Sequence, residues 1–181
     1  MTSVFASQIQ NRNFLAPVGF KFTLAKFPKV DFFSNSARIP EIVLGTAIQA
    51  SYLKDLDIPG EKLKYGDFGL RFLVDENLEN YMAVHNWLTG LGFPETPQQF
   101  KDKVTDVEGQ RDFNEQFCDG TLSILNSNFR TIARVKFSDL FPTSITSLEF
   151  DATENDVNYF TAEASFKYTV YNIVDTNGNR L

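Results

Sequence analysis

The sequence predicts a mainly β (α+β) fold: an antiparallel β-barrel or sandwich of about seven strands, with one flanking helix, a short second helix and a long extended arm. Three observations carry this. Phe160, Ala162, Ala164, Phe166, Tyr168 and Val170 alternate with Thr161, Glu163, Ser165, Lys167 and Thr169, the period-two pattern of a half-buried strand. Between Tyr65 and Trp87 a strand pattern gives way to a helical one. Nineteen phenylalanines against two methionines supply the stiff aromatic side chains that pleated sheets favour.

Residues 1–13 are polar and form an N-terminal extension. Val18, Phe20, Phe22 and Leu24 then alternate with Gly19, Lys21 and Thr23, which reads as a strand. Pro28-Lys29 fits a turn, so Val30 to Arg38 reads as the return strand of a hairpin that Pro40 closes. Residues 41–65 keep no sustained period. Their apolar side chains (Ile42, Val43, Leu44, Ile48, Leu53, Leu56, Ile58) argue against a merely solvated linker, and the segment reads as an extended arm or long hairpin that packs on something, another subunit being one candidate.

In the next unit Phe68, Leu70, Phe72 and Val74 form one apolar strand face against Gly69, Arg71 and Leu73. Asp75-Glu76 sit where carboxylates accept hydrogen bonds from the free amides of a first helical turn. Leu78, Tyr81, Met82, His85 and Leu88 recur at helical spacing, and Gly90 is placed to end the helix. Residues 94–119 read as an inserted loop. It holds a short helix opened by Thr96-Pro97-Gln98-Gln99, with a threonine cap, proline at the first helical position and glutamine at the capping-box position. Thr121–Leu125, Thr131–Phe137 and Ser144–Ala152 are strand-like, and Asp151–Asn158 is turn chemistry joining the last of these to the Phe160–Val170 strand as an antiparallel hairpin. Residues 172–181 form a C-terminal tail.

A chain of 181 residues is long enough for one domain that buries roughly 70% of the surface it exposes unfolded. With 17 Lys plus Arg against 23 Asp plus Glu, the net charge of −6 argues against a nucleic-acid binder, which needs a clustered basic surface. It does not exclude a protein that DNA passes without sticking. No apolar run reaches the ~18–20 residues that span a bilayer, so no membrane insertion is expected. The first residues lack the basic start and apolar core of a signal peptide, the lone Cys118 cannot make an intrachain disulfide, and no Asn-x-Ser/Thr sequon occurs. The chain reads as made in the cytoplasm.

Catalytic chemistry finds no support. The single histidine, His85, lies on the apolar helical stripe and reads as a core residue rather than a base or ligand. There is no Cys–His pair and no HExxH, and the Asp151–Asn158 acids lack the glycine and glutamate of a calcium loop. Phosphate cradles and nucleophile elbows are absent. No enzyme activity, cofactor or metal is expected.

Three segments in order resemble the tail tube proteins of T4-like contractile bacteriophages. Asn13–Gly45 (NFLAPVGFKFTLAKFPKVDFFSNSARIPEIVLG) resembles the opening hairpin and the arm after it. Gly66–Trp87 resembles the strand that runs into an acidic corner and a Trp-bearing helix. Val135–Tyr171 resembles the closing hairpin, through Leu140-Phe141-Pro142-Thr143 and the phenylalanine-rich last strand. Pro94–Asp119 and the tail after Asn172 depart from the simplest family pattern.

The resemblance implies a structural virion protein whose six-fold rings stack into the inner tail tube, the conduit for DNA ejection. It implies a sheath outside the tube, baseplate tube-initiator and terminator proteins at its ends, and a tape measure protein and DNA passing through the lumen. Thr161, Glu163, Ser165, Lys167 and Thr169 are then the expected lumen face, with a net negative bore that repels phosphates. Ile42, Leu44, Leu53, Leu56, Ile58 and Tyr65 are the expected contacts between rings. The alternatives are a baseplate tube-initiator or distal tube protein of the same fold, and a small-ligand-binding β-barrel.

Overall fold

The computed structural model describes residues 15, 17–27, 33–92, 116–150 and 159–181. Nine strands and one helix appear there, in the order β1 (Phe20–Leu24), β2 (Phe33–Ala37), β3 (Ile42–Gln49), β4 (Leu56–Tyr65), β5 (Phe68–Leu73), α1 (Glu79–Gly92), β6 (Cys118–Leu125), β7 (Thr131–Ile145), β8 (Thr161–Lys167) and β9 (Val170–Asp175). All pairings are antiparallel. The N-terminal extension, the short helix of the insertion and the Asp151–Asn158 turn lie outside the described residues.

Two sheets share one long strand. The first half of β7, Ala133 to Ser138, pairs with β9 on one side, and Thr131 to Phe137 pairs with β6 on the other; β1 extends this sheet beyond β6. The second half, Phe141 to Ile145, pairs with β8, which continues through β5 to β2. The strand turns its corner at Asp139, which has φ 55°, a left-handed conformation that aspartate tolerates better than most residues. Pro142, which has no amide to give a ladder, sits beside the register shift that follows. β1 and β2 end the path of strands, and no ladder joins them among the described residues. The result is an open sandwich rather than a closed barrel, with β9, which pairs only with β7 among the named strands, as a further edge beside β1 and β2.

Apolar positions of the alternating strands meet between the sheets. Phe22 and Leu24 of β1, Phe68, Leu70 and Phe72 of β5, Val135 and Phe137 of β7, and Phe166 of β8 are all buried. The Phe68 ring lies 4.5 Å from that of Phe137 and 5.1 Å from that of Phe22, so three strands interlock through one aromatic cluster. Helix α1 adds Val84 and Trp87 to the same core, with the indole 6.4 Å from Phe166. Its entry is fixed by Asn80. The side chain accepts from the Asp75 amide (3.3 Å) and donates to the Leu73 carbonyl (2.8 Å), while the Asp75 carboxylate accepts from the Asn80 amide (3.2 Å). Asp75 therefore acts as the expected acidic cap.

Several expectations are corrected. The opening hairpin is not seen among the described residues, and its Pro28-Lys29 turn lies outside them: β1 pairs with β6 and β2 with β5, because Phe22 packs into the aromatic cluster across from β5 and the two strands belong to opposite sheets. The buried face of α1 is Asn80, Val84 and Trp87, with Tyr81, Leu88 and Leu91 half-buried; Leu78 and Met82 are exposed. Docking of Asn80 into the end of β5 sets that rotation. The helix runs past Gly90 to Gly92. The expected strand from Ser144 is not separate: β7 runs on to Ile145, and no strand follows over residues 146–150. There Thr146 takes over, its hydroxyl accepting from the Glu163 amide (2.9 Å) and its amide donating to the Glu163 carbonyl (2.9 Å). The last strand breaks at Tyr168-Thr169, so β8 serves one sheet and β9 the other, and the chain after Asn172 continues as strand to Asp175.

Candidate assembly surfaces

β3 and β4 form an arm that stands off the body. Every residue in these strands is exposed except Gly60 and Tyr65. The five other apolar residues expected at ring contacts are exposed: Ile42, Leu44, Leu56 and Ile58 along the ribbon, and Leu53 at its tip. Tyr65 is instead half-buried at the root. The ladder shifts register near its middle, where Gly60 comes so close to Gly45 that a Cβ there would lie 2.4 Å from the Gly45 carbonyl oxygen. Only glycine fits.

The root is clamped by tyrosines. Tyr168 donates to the Gly66 carbonyl (2.9 Å) and Tyr171 to the Pro40 carbonyl (3.1 Å), one at each end of the arm. The rings of Tyr65, Tyr168 and Tyr171 meet edge to face at 5.7 to 6.1 Å. Burial, and then the neighbouring Tyr171, Tyr65 and Asp67, push the Tyr168 hydroxyl up to about 12. The alternation that marked Tyr168 as inward was legible in the sequence; its partner, far away in the chain, was not.

The expected lumen residues fall into two groups. Thr161, Glu163, Ser165 and Lys167 share the outward face of β8, with Ser165 half-buried. Thr169 lies beyond the strand, in the turn to β9, and its amide donates to the Ser138 carbonyl (3.0 Å). The β8 face continues across β5, where Arg71 lies opposite Glu163 and pairs with it at 3.3 Å. A shallow polar groove of about 400 Å³ follows, lined by Ser36, Arg38, Asp67, Arg71, Glu163 and Ser165. Sequence reasoning missed Arg38, Asp67 and Arg71. Arg71 occupies a polar position of its strand, and only the β5–β8 register places it on this face. The face carries Arg38, Arg71 and Lys167 against Asp67 and Glu163, three cations to two anions, so the expected negative balance is not met there.

A second depression is apolar. Leu73, Val74, Leu78, Phe150, Tyr159 and Phe160, together with Asp75 and Glu76, line a cleft of about 590 Å³ where α1 begins. No group of three His, Cys, Asp or Glu side chains with metal-binding geometry occurs among the described residues. His85 is half-buried, stacks on Tyr81 (6.3 Å) and leaves Nδ1 without a partner among the described residues. The Trp87 indole donates to the Gln116 carbonyl (3.2 Å). No helix among the described residues is long and apolar enough to cross a membrane.

No curated protein matches the chain significantly. Among solved structures it is similar in fold to the tube-terminating cap of the anti-feeding prophage, at 18% identity and TM-score 0.60, over 96% of this chain and 99% of that one. It is also similar to a chain of the sheath–tube complex of an extracellular contractile injection system, PVC (19% identity, TM-score 0.58, 91% of this chain and 94% of that one). A chain of the PVC sheath/tube terminator matches at 20% identity and TM-score 0.57, over 91% of this chain and 99% of that one. At these identities the likeness is one of fold. A family model described as phage tail tube protein matches residues 2–174, nearly the whole sequence. The chain belongs to the phage tail tube protein family.

Proposed function

We propose that copies of this chain assemble into six-fold rings that stack as the inner tube of a bacteriophage tail, the conduit for DNA ejection. The observation that carries the reading is an exposed apolar arm, β3–β4, on a body whose strand path ends in two rims. A monomer gains nothing from Ile42, Leu44, Leu53, Leu56 and Ile58 in water, and patches of this kind mark contact surfaces. Rims β1 and β2 likewise present backbone groups that a neighbouring copy can pair. In this assembly the arm bridges rings, and the outward face of β2, β5 and β8 lines the lumen. That face is close to charge balance, with three cations against two anions, and one of its cations is engaged by Glu163, which weakens its hold on passing phosphates.

The role is structural and non-enzymatic, and the site of action is the virion tail. A sheath surrounds the tube, initiator and terminator proteins bound its length, and the tape measure protein and DNA occupy the bore without specific binding. Negative-stain microscopy of the purified chain, with and without a tube seed, tests this. Six-fold rings and tubes are expected from the native chain. Leu56→Asp with Ile58→Asp should leave folded rings or monomers that no longer stack; normal tubes from that variant would overturn the arm's role. Copy number per virion separates a repeating tube subunit from a single terminal ring.

A further inference from the structure

The arm and the apolar cleft lie at opposite ends of the same strand pair. Along β5–β8, Phe68 faces Phe166 at the end next to the arm's root at Tyr65 and Gly66, and Leu73 faces Thr161 at the end that opens into the cleft. Five residue steps, roughly 17 Å, separate these ends. A subunit with a projecting element at one pole and a receptive hollow at the other can only match them head to tail. Such a heterologous contact repeats without closing when the copies are stacked.

We infer that the arm tip of one copy, Tyr52 and Leu53, seats in the cleft at the start of α1 of a copy in the next ring. This rests on the tube reading above and names the receiving surface. The tip carries the most exposed apolar side chains of the arm, Tyr52 fully and Leu53 at 91%. The cleft offers Phe150 and Tyr159, both largely exposed, and the Phe150–Phe160 ring pair 4.7 Å apart. Its volume of about 590 Å³ is of the size that takes a compact apolar anchor. Lys54 and Asp55 follow the two apolar tip residues, and of these Lys54 is complementary to the cleft's acids, Asp75 and Glu76. The ten residues of β4 give a reach of roughly 30 Å.

Separate chains carrying Leu53→Cys and Phe160→Cys, with the buried Cys118 left in place, are mixed, assembled into tubes and treated with a short bismaleimide. The expected product is a covalent dimer of one chain of each kind, absent from either chain alone and from the unassembled mixture. Lys54→Glu or Glu76→Lys should each raise the concentration needed for stacking by about tenfold, and the double variant should restore it. Circular dichroism establishes that each variant is folded. Normal tubes without the mixed dimer, and normal tubes from Tyr52→Asp/Leu53→Asp, overturn this socket and leave the tube reading standing. Failure of the native chain to form rings or tubes on a supplied seed overturns both.

Discussion

The Tyr168 hydroxyl donates a 2.9 Å hydrogen bond to the carbonyl of Gly66, 102 residues earlier in the chain. With Tyr171 on Pro40, it ties the arm to the end of the sheet at the point where the last strand changes partners. The arm's direction is therefore set by the body's fold.

Tyr168→Phe removes this bond and should cost about 1 kcal/mol near neutral pH, read by urea denaturation. It should also change the alkaline limb. With its hydroxyl raised from 10.0 to about 12, native Tyr168 keeps a proton that the unfolded chain has lost across that interval. Stability contributed by Tyr168 is thus complete below pH 10 and lost as pH rises toward 12. The phenylalanine variant should show a flatter decline over the same range.

Asn80→Ala leaves the Asp75 amide and the Leu73 carbonyl without their side-chain partner at the foot of α1. A loss of about 2–3 kcal/mol is expected from chemical denaturation, since one side chain satisfies both groups. Asn80→Asp should be at least as damaging: it cannot donate to the Leu73 carbonyl and buries a charge.

Gly60→Ala should act on the arm alone. Its new methyl meets the Gly45 carbonyl at 2.4 Å, so the ribbon must part or shift at its middle. Amide exchange in β3 and β4 should accelerate while the melting temperature changes little, because no core residue lies there. Loss of stacking by the same variant would follow from the arm's proposed role.

Cys118 should resist thiol reagents in the folded chain. Burial pushes its thiol above the usual range, outweighing the Lys26 amide that donates to Sγ at 3.1 Å. Reaction with a disulfide reagent at pH 8 should be slow and should become rapid in denaturant. Rapid labelling without denaturant would mean that the start of β6 opens readily.

The fold was legible wherever a pattern is local. The alternation of β1, β5 and β8, the acidic corner at Asp75 and the helix that follows all rest on neighbouring residues. What escaped was long-range. Pro28-Lys29 between two strand patterns reads as a hairpin, yet Phe22 is claimed by Phe68 and Phe166 across the core. The buried face of α1 differs from its apolar stripe because the residue that orients the helix is a polar one, Asn80, whose burial makes sense only once the end of β5 is in place. The surfaces divide the same way. The arm's apolar residues stand out in a linear reading, whereas the Arg71–Glu163 pair and the tyrosine clamp exist only through strand register.

Because β7 belongs to both sheets, neither can slide over the other without bending a continuous covalent chain at Asp139. A thrust applied along the molecule is then borne by peptide bonds as well as by side-chain packing. The two layers should move as one rigid plate, a property that would serve the wall of the proposed tube.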